Sequence, residues 1–476
     1  MNVAIVAGEA SGDKQAANLL RELSRQLSPS ETVTTWGIGG PSLQAIGCEL
    51  LADSRTWGTI GIVNSLRQPA TILAAMRKFK QTFDERRPDL LILVDFGAFN
   101  IPLAKWVKDK SKTVVASTGK KCPIFYYFPP SSWRRKMSLE KLRKLTSVSD
   151  LISTPFSWSE KLLRDAGGNA YFLGHPLLDS VQTTMTEKEF DDIYGVDDTR
   201  TVITLVPGSR EHEVHHILPV LLSAAGEIAR RIPGVQFLVA KSPNLPNQLI
   251  EDTLRKTQDQ GTSASLLHLA ERAGSILRSA SNALSPPINE RVHSLATPEG
   301  VLIKVSDQES SQPDWAQKRM SKATTTAPLA IVEGATHDAM ARADLVIAAS
   351  GTATLEAAIL GRPVIIVYRG SGLMNLEYKI RRRTLNIKYV GLPNILAEEM
   401  VCPELLQNEA TSENIANHAL DLLLQPERMI QLKARMLDLV AKNLGEKGAT
   451  QRTASMLIEF LRGNNILSTD LTTGAN

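Results

Sequence analysis

The sequence predicts an α/β protein made of two doubly wound domains with a cleft between them. Three observations carry this. Short apolar runs of five to seven residues alternate with amphipathic helical stretches through most of the chain, the pattern of parallel β/α units. Several of those runs, LLILVDF (90–96) among them, lack a polar alternate face, as strands covered by helices on both sides must. The alternation also runs twice, with a polar stretch, TTMTEKEFDDIYGVDD, between the two series. At 476 residues the chain is long enough for two or three domains.

The elements follow in order. VAIVAG (3–8) is the first strand, and the next stretch (14–27) aligns Ala17, Leu20, Leu23 and Leu27 on one helical face. TTWGIGG (34–40), LLILVDF, PIFYYF (123–128), DLIST (150–154) and AYFLG (170–174) continue the first series. TVITLVPGSR (201–210) opens the second, followed by a helix through Ile217, Leu221 and Ala225. VQFLVA (235–240), PLAIVEG (328–334), DLVIAAS (344–350) and RPVIIVYR (362–369) supply its other strands, and Ser412 to Leu461 reads as helical. These patterns divide the chain into residues 1–180, 200–400 and a helical segment 401–476. Residues 244–326, rich in Ser, Gln, Pro and Ala, read as an insertion with one or two helices at 264–280.

Composition excludes some classes. Hydrophobic residues are 43% and charged residues 22%, which fits a globular chain and not a disordered one. Cys48, Cys122 and Cys402 form no CxxC pair, so neither a disulfide framework nor a zinc ribbon is expected, and a reducing compartment is the simpler reading. The first residues lack a basic, cleavable leader pattern, and no apolar run reaches about 18 residues, so no membrane-crossing helix is expected. Net charge is only +4, yet twelve basic residues between Ile101 and Leu145 face only Asp109 and Glu140. A second basic group comprises Lys379, Arg381, Arg382, Arg383 and Lys388. Such charge either solvates a face or attracts phosphate groups; no nucleic-acid-reading motif accompanies it.

Four strand-to-helix junctions carry candidate chemistry. In SGTATLE (350–356), Ser350, Gly351, Thr352 and Thr354 lead into a helix whose free N–H groups suit a diphosphate, and Glu356 one turn on suits the hydroxyls of a ribose. In LVPGSREHEV (205–214), Ser209 can cap the next helix and Arg210 can hold phosphate; a plain salt bridge to Glu211 or Glu213 is the competing reading. In AGEASGD (7–13), Glu9, Ser11, Gly12 and Asp13 suit a sugar hydroxyl or a mixed polar ligand, with capping as the alternative. Asp95 closes a fully apolar strand, where partial desolvation would raise its proton affinity and make it a general base. His175, in LGHPLLD, lies at the expected crossing between domains and is a candidate ligand contact, although most lone histidines are structural. His212, His215 and His216 lack supporting carboxylates, so no metal is expected.

These motifs in this order resemble the lipid-A-disaccharide synthases, inverting glycosyltransferases of the GT-B type with two Rossmann-like domains. The resemblance rests on VAGEASGD (6–13), GIGGPSLQAIGCE (37–49), the stretch 88–100, TPFSWSEKLLRDAG with YFLGHPLLD (154–179), LVPGSREHEV, ASGTATLEAAILGRPVIIVYR (349–369) and YVGLPNILA (389–397). It implies transfer of 2,3-diacylglucosamine from its UDP conjugate to the 6-hydroxyl of 2,3-diacylglucosamine 1-phosphate, giving a β-1,6 disaccharide, with no metal and no cofactor. It implies Asp95 as base and Arg210, Thr352, Glu356 and Asn394 as the residues holding UDP. It also implies an anionic membrane surface as partner, met by the basic segment and the apolar WGTIGIV (57–63), and a cytoplasmic, peripheral location at the inner face of the membrane. Some members pair through their C-terminal segments, which puts a homodimer among the expected partners. The chain departs from the family in reading DFGAFN, with Ala98 in place of a second carboxylate, in its FPPSSWRRK turn (128–136), and in its longer insertion. Another lipid or glycan acceptor, or a homologue that binds UDP-sugar or lipid without turnover, are the alternatives; a UDP-sugar epimerase fits the motif set poorly.

Overall fold

The computed structural model describes residues 1–54, 69–109, 119, 121–243, 245–257, 301–304, 326–371 and 388–467. The helices expected at 264–280, the WGTIGIV run and the basic group Lys379–Arg383 lie outside the described residues. The chain forms two compact units, Met1–Ser180 with Ala441–Asn476, and Val181–Val440.

The first unit opens with β1 (Asn2–Ala7), α1 (Ala10–Gln26), β2 (Thr34–Gly39), α2 (Pro41–Gln44), β3 (Glu49–Asp53), α3 (Pro69–Arg86), β4 (Leu90–Val94) and α4 (Gly97–Asp109). It continues with β5 (Ile124–Tyr127), α5 (Leu139–Thr146), β6 (Leu151–Ser153), α6 (Ser157–Asp165), β7 (Ala170–Tyr171) and α7 (Leu177–Ser180). All seven strands are parallel, in the order β3-β2-β1-β4-β5-β6-β7. The uninterrupted apolar runs have their cause in the two cores. Alternate residues Leu91 and Leu93 pack with Phe79, Phe83, Phe99 and Leu103 on one face. Leu90, Ile92 and Val94 pack with Ala16, Leu20 and Leu23 on the other.

The second core is completed from far along the chain. Leu457, Ile458 and Leu461, on the helix Ala449–Gly463, join the α1 face. The Asp179 carboxylate caps that helix, accepting from Gly448 N at 2.6 Å and Thr450 N at 2.8 Å. The segment 401–476, expected as one helical piece, is therefore divided: its last part belongs to the first unit and Glu404–Leu406 is a strand.

The second unit begins at the stretch that looks like a polar linker. There Thr186 and Glu189 form a capping box around α8 (Glu187–Tyr194), which buries Phe190 and Tyr194 and ends on Gly195 at φ +65°. Next come β8 (Thr201–Val206), α9 (Glu211–Arg231), β9 (Val235–Lys241), α10 (Asn247–Thr257), β10 (Val301–Lys304), β11 (Thr326–Glu333) and α11 (Thr336–Arg342). They are followed by β12 (Leu345–Ala349), α12 (Thr352–Ile359), β13 (Val364–Tyr368), α13 (Leu392–Ala397), β14 (Glu404–Leu406), α14 (Ser412–Leu423) and α15 (Pro426–Asn443), and the Ala449–Gly463 helix is α16. The strand order is β10-β11-β9-β8-β12-β13-β14, with only β10 antiparallel to its neighbour. No helix among the described residues is long and apolar enough to cross a membrane.

Candidate functional site

Strand order decides where each unit can take a ligand. In the first sheet β1 lies between β2 and β4, so the chain winds one way from β1 and the other way from β4. In the second sheet β8 and β12 stand in the same relation. Open parallel sheets bind ligands beyond the carboxyl ends of such strand pairs, where the connecting loops part. The AGEASGD loop follows β1 and Asp95 follows β4; PGSR follows β8 and SGTATLE follows β12. All four motifs stand at these two places.

Asp95 is exposed at the end of β4, with φ +44°, and Phe96 follows at φ +42°. Two successive non-glycine residues in the left-handed region are costly and persist only where surroundings enforce them. The enforcement is visible. Asp95 N–H donates to Tyr127 O at 3.2 Å and Phe128 O at 3.1 Å. Its carbonyl accepts from Tyr126 Oη at 2.7 Å and Asn100 Nδ2 at 3.0 Å. Burial and the neighbouring Asp95 charge push the Tyr126 hydroxyl well above its usual range, so it stays a donor. Phe96 folds back onto Gly8, where an added Cβ would meet its ring at 2.2 Å. The carboxylate is thus placed by its backbone, while its exposure corrects the expectation of a partly desolvated group. Asn100, also bonded to Val94 O at 3.1 Å, is a positioning residue that sequence reading passed over.

The β1 loop divides. Glu9 is half-buried at the N-cap of α1 and Ser11 is exposed. Asp13, expected to meet a ligand, is buried: it accepts from Gly40 N at 2.7 Å, Ser42 N at 2.8 Å and Leu43 N at 3.2 Å, and so fixes the start of α2. Gly12 is buried too, with space for a Cβ limited by Val94 Cγ1 at 3.3 Å, so its smallness serves the packing of α1 on β4. His175 is likewise internal. Its Nδ1 accepts from Leu177 N at 3.2 Å, its own N–H donates to Leu444 O at 2.8 Å, and its ring lies against Phe128 and Phe156. Burial drives its pKa down to about 3, so the ring is neutral and anchors the returning C-terminal segment.

In the second unit Arg210 occupies the N-cap of α9 and pairs with Glu213, Nη1 to Oε1 at 3.2 Å. The competing reading of an internal salt bridge is therefore what the structure contains. Glu213 Oε2 also accepts from Ser209 N at 3.2 Å, and Ser209 does not cap the helix with its side chain. Gly208, at φ +115°, holds a backbone conformation that residues with a side chain rarely adopt, and a Cβ there would also lie 2.9 Å from Glu213 Cβ. A carboxylate thus sits where a backbone N–H and a guanidinium converge, which is the recognition pattern of an anion. Among the nearby histidines, His216 Nδ1 pairs with His212 O at 2.9 Å, and burial lowers the His212 pKa.

At α12, Gly351 and Thr352 are exposed, no side chain caps the helix, and Ser350 Oγ lies 3.4 Å from Val390 O. Thr354 is a correction: it is fully buried and its hydroxyl donates to Gly351 O at 2.9 Å. Glu356 is 16% exposed in its side chain, and its Oε2 faces His337 Nε2 at 3.5 Å. His337, in the first turn of α11, went unnoticed in the sequence because it lies 19 residues from Glu356. Asn394 is the clearest correction. It is 0% exposed; Nδ2 donates to Cys402 O at 2.7 Å and Glu404 Oε1 at 2.8 Å, and Oδ1 accepts from Val401 N and Cys402 N. Its amide is spent tying α13 to β14 and leaves nothing for a nucleotide.

The lipid-A-disaccharide synthetase family model matches residues 3–286 and 293–460. The chain belongs to that family. A lipid-A-disaccharide synthase of Syntrophus aciditrophicus is 31% identical over 460 residues, 97% of this chain and 98% of its own length. One of Nitrosococcus oceani is 31% identical over 464 residues, 98% and 97% of the two chains. Among solved structures, the UDP-GlcNAc 2-epimerase of Neisseria meningitidis bound to UDP-GlcNAc superposes with a TM-score of 0.51 at 13% identity, covering 96% of this chain and all of that one. The MnaA–UDP structure from S. aureus gives 0.52 at 10% identity, with 98% of each chain covered. At such identities the likeness shows the fold, the two Rossmann-like units of the GT-B type, and leaves family membership to the sequence.

Proposed function

We propose that this lipid-A-disaccharide synthase family member transfers 2,3-diacylglucosamine from its UDP conjugate to the 6-hydroxyl of 2,3-diacylglucosamine 1-phosphate. The observation that carries the reading is the Asp95 carboxylate, held exposed at the carboxyl end of β4 by a left-handed turn that the surrounding strands enforce. Asp95 takes the proton of the acceptor 6-hydroxyl as that oxygen attacks the anomeric carbon of the donor. The new C–O bond forms opposite the breaking bond to UDP, so the linkage inverts to β.

The second unit holds the leaving group. Arg210 and the uncapped N–H groups of α12, with Ser350, Gly351 and Thr352 at its start, offset the diphosphate charge without a metal or cofactor. Glu356, steadied by His337, accepts the ribose hydroxyls. Glu9 and Ser11 stand on the acceptor side. Acylated, anionic substrates place the enzyme at the inner face of the cytoplasmic membrane, attached by basic residues worth about 1 kcal/mol each near an anionic surface. Leu73 (54% exposed) and Leu139 (47% exposed) add apolar contacts. Pairing of two copies belongs to the same proposal.

Release of UDP tests this. Purified protein with donor alone, acceptor alone, and both, each with EDTA, is expected to release UDP only with both. Release from donor alone would make the chain a hydrolase. Release that fails with EDTA and returns with a divalent cation would remove the metal-free account, and UDP binding without release would favour another acceptor or a non-catalytic homologue.

A further inference from the structure

The short helix α11 is held in place from two sides. Asp338 in its first turn, 4% exposed, accepts from Thr184 N at 2.7 Å, Thr184 Oγ1 at 3.0 Å and Met185 N at 2.9 Å. Ala335 and Ala339 pack with Phe190 and Tyr194 of α8, and Thr204 Oγ1 on β8 donates to Ala339 O at 2.7 Å. The polar stretch that begins this unit therefore also anchors α11. With Asp338, Ala339 and Met340 turned inward, His337 is left only partly covered, on a helix that packs beside α12.

Glu356 stands in α12 in the same way, between the fully buried Leu355 and Ala357. Its Oε2 lies 3.5 Å from His337 Nε2, and the two side chains are 16% and 15% exposed. Neither side chain has another polar partner among the described residues. A carboxylate largely withdrawn from water and met by a single imidazole is under-bonded, because an ionised carboxyl offers about four acceptor sites over its two oxygens. Sites therefore remain on both oxygens for hydroxyl donors. Resting on the proposed contact of Glu356 with the ribose, we infer that His337 is a positioning residue for that carboxylate and so sets the preference for a ribonucleotide over its deoxy form. A glutamate side chain has three torsions, and ordering them only when a ligand arrives subtracts from affinity. His337, fixed by the anchoring of α11, orders them in advance and touches no ligand itself.

The test compares UDP with 2′,3′-dideoxyuridine diphosphate, which keeps the base and the phosphates and lacks both hydroxyls. Affinities are measured by calorimetry on wild type, His337→Ala, His337→Gln, Glu356→Ala and the His337→Ala, Glu356→Ala double variant. Wild type is expected to prefer UDP. His337→Ala should weaken UDP by about threefold to tenfold, the range of one hydrogen-bonded contact, and leave the dideoxy compound unchanged. In turnover the same factor should appear in the KM of the UDP-sugar rather than in kcat, since the ribose is held alike in ground and transition states. His337→Gln, which keeps a donor near the end of its side chain, should recover part of the loss. In the Glu356→Ala background, His337→Ala should change nothing further. Unchanged UDP affinity in His337→Ala, equal losses on both nucleotides, or losses that add in the double variant would overturn the positioning role. Wild type binding the two nucleotides alike would overturn it together with the ribose contact and leave the transfer reading standing. Wild type that binds neither would overturn the UDP-sugar reading itself.

Discussion

Replacing Asp95 by Asn removes the proposed base with almost no structural disturbance. The hydrogen bonds that hold the turn, to Tyr127 O and Phe128 O and from Tyr126 Oη and Asn100 Nδ2, all run through the Asp95 backbone. Asparagine also tolerates φ near +44° about as well as aspartate, so the left-handed turn survives. The loss should therefore be chemical. A positioned general base contributes about 10²–10⁴ in rate, which is about 3–5 kcal/mol of barrier. Turnover of Asp95→Asn should fall by that factor in a UDP-release assay, while UDP affinity by calorimetry and the thermal midpoint stay at wild-type values. Asp95→Ala should lose the same turnover and also about 1 kcal/mol of stability, since alanine fits the left-handed region less well. Turnover of Asp95→Asn within tenfold of wild type would remove Asp95 from the role of base, and unchanged turnover with altered UDP affinity would move it to the donor site.

Three further outcomes follow from other sites. Glu213→Gln withdraws the carboxylate that occupies the Ser209–Arg210 anion pattern, so UDP should bind about twofold to fivefold tighter, as expected for a partly exposed charge; weaker binding on titration would mean Glu213 serves mainly to orient Arg210. Asn394→Ala leaves Val401 N, Cys402 N and Glu404 short of partners inside the second unit and should cost about 2–4 kcal/mol in urea unfolding; unchanged stability with lost UDP affinity would restore Asn394 as a nucleotide contact. His175 has a folded pKa near 3 against an ordinary value of 6.5, so the unfolded chain binds the extra proton first. Its contribution to stability is complete above about pH 6.5 and is lost as pH falls toward 3, on the order of 5 kcal/mol in all; His175→Phe should flatten that acid limb, and an unaltered limb in pH-dependent melts would refute the assignment.

How much of this is legible in the sequence depends on where each residue finds its partners. The central strands declare themselves because both faces of β1, β4, β8 and β12 are buried, leaving continuous apolar runs. Three of the four edges do not: β10 and β14 are short, β3 is only as long as β4, and ELLAD or ELL carries no distinctive period. α8 hides in a stretch of Thr, Glu and Asp whose capping box is invisible to a reading based on polarity alone. At the candidate site, the junctions are correctly found as motifs, yet which polar side chain faces outward is a question of distant hydrogen bonds. Asp13 is consumed by N–H groups 27–30 residues away, and Asn394 by partners in 401–404. Neither loss of availability is written in the local spacing. His337 and Glu356 meet only because α11 and α12 pack side by side.

The most direct test of the central claim is the structure of the product. Purified protein is incubated with UDP-2,3-diacylglucosamine and 2,3-diacylglucosamine 1-phosphate, and the lipid fraction is analysed by mass spectrometry and proton NMR. The account predicts a tetra-acyl disaccharide 1-phosphate whose new linkage is β and joins the 6-hydroxyl of the acceptor. An α linkage, attachment at another hydroxyl, or UDP appearing with free diacylglucosamine in place of a disaccharide would contradict it.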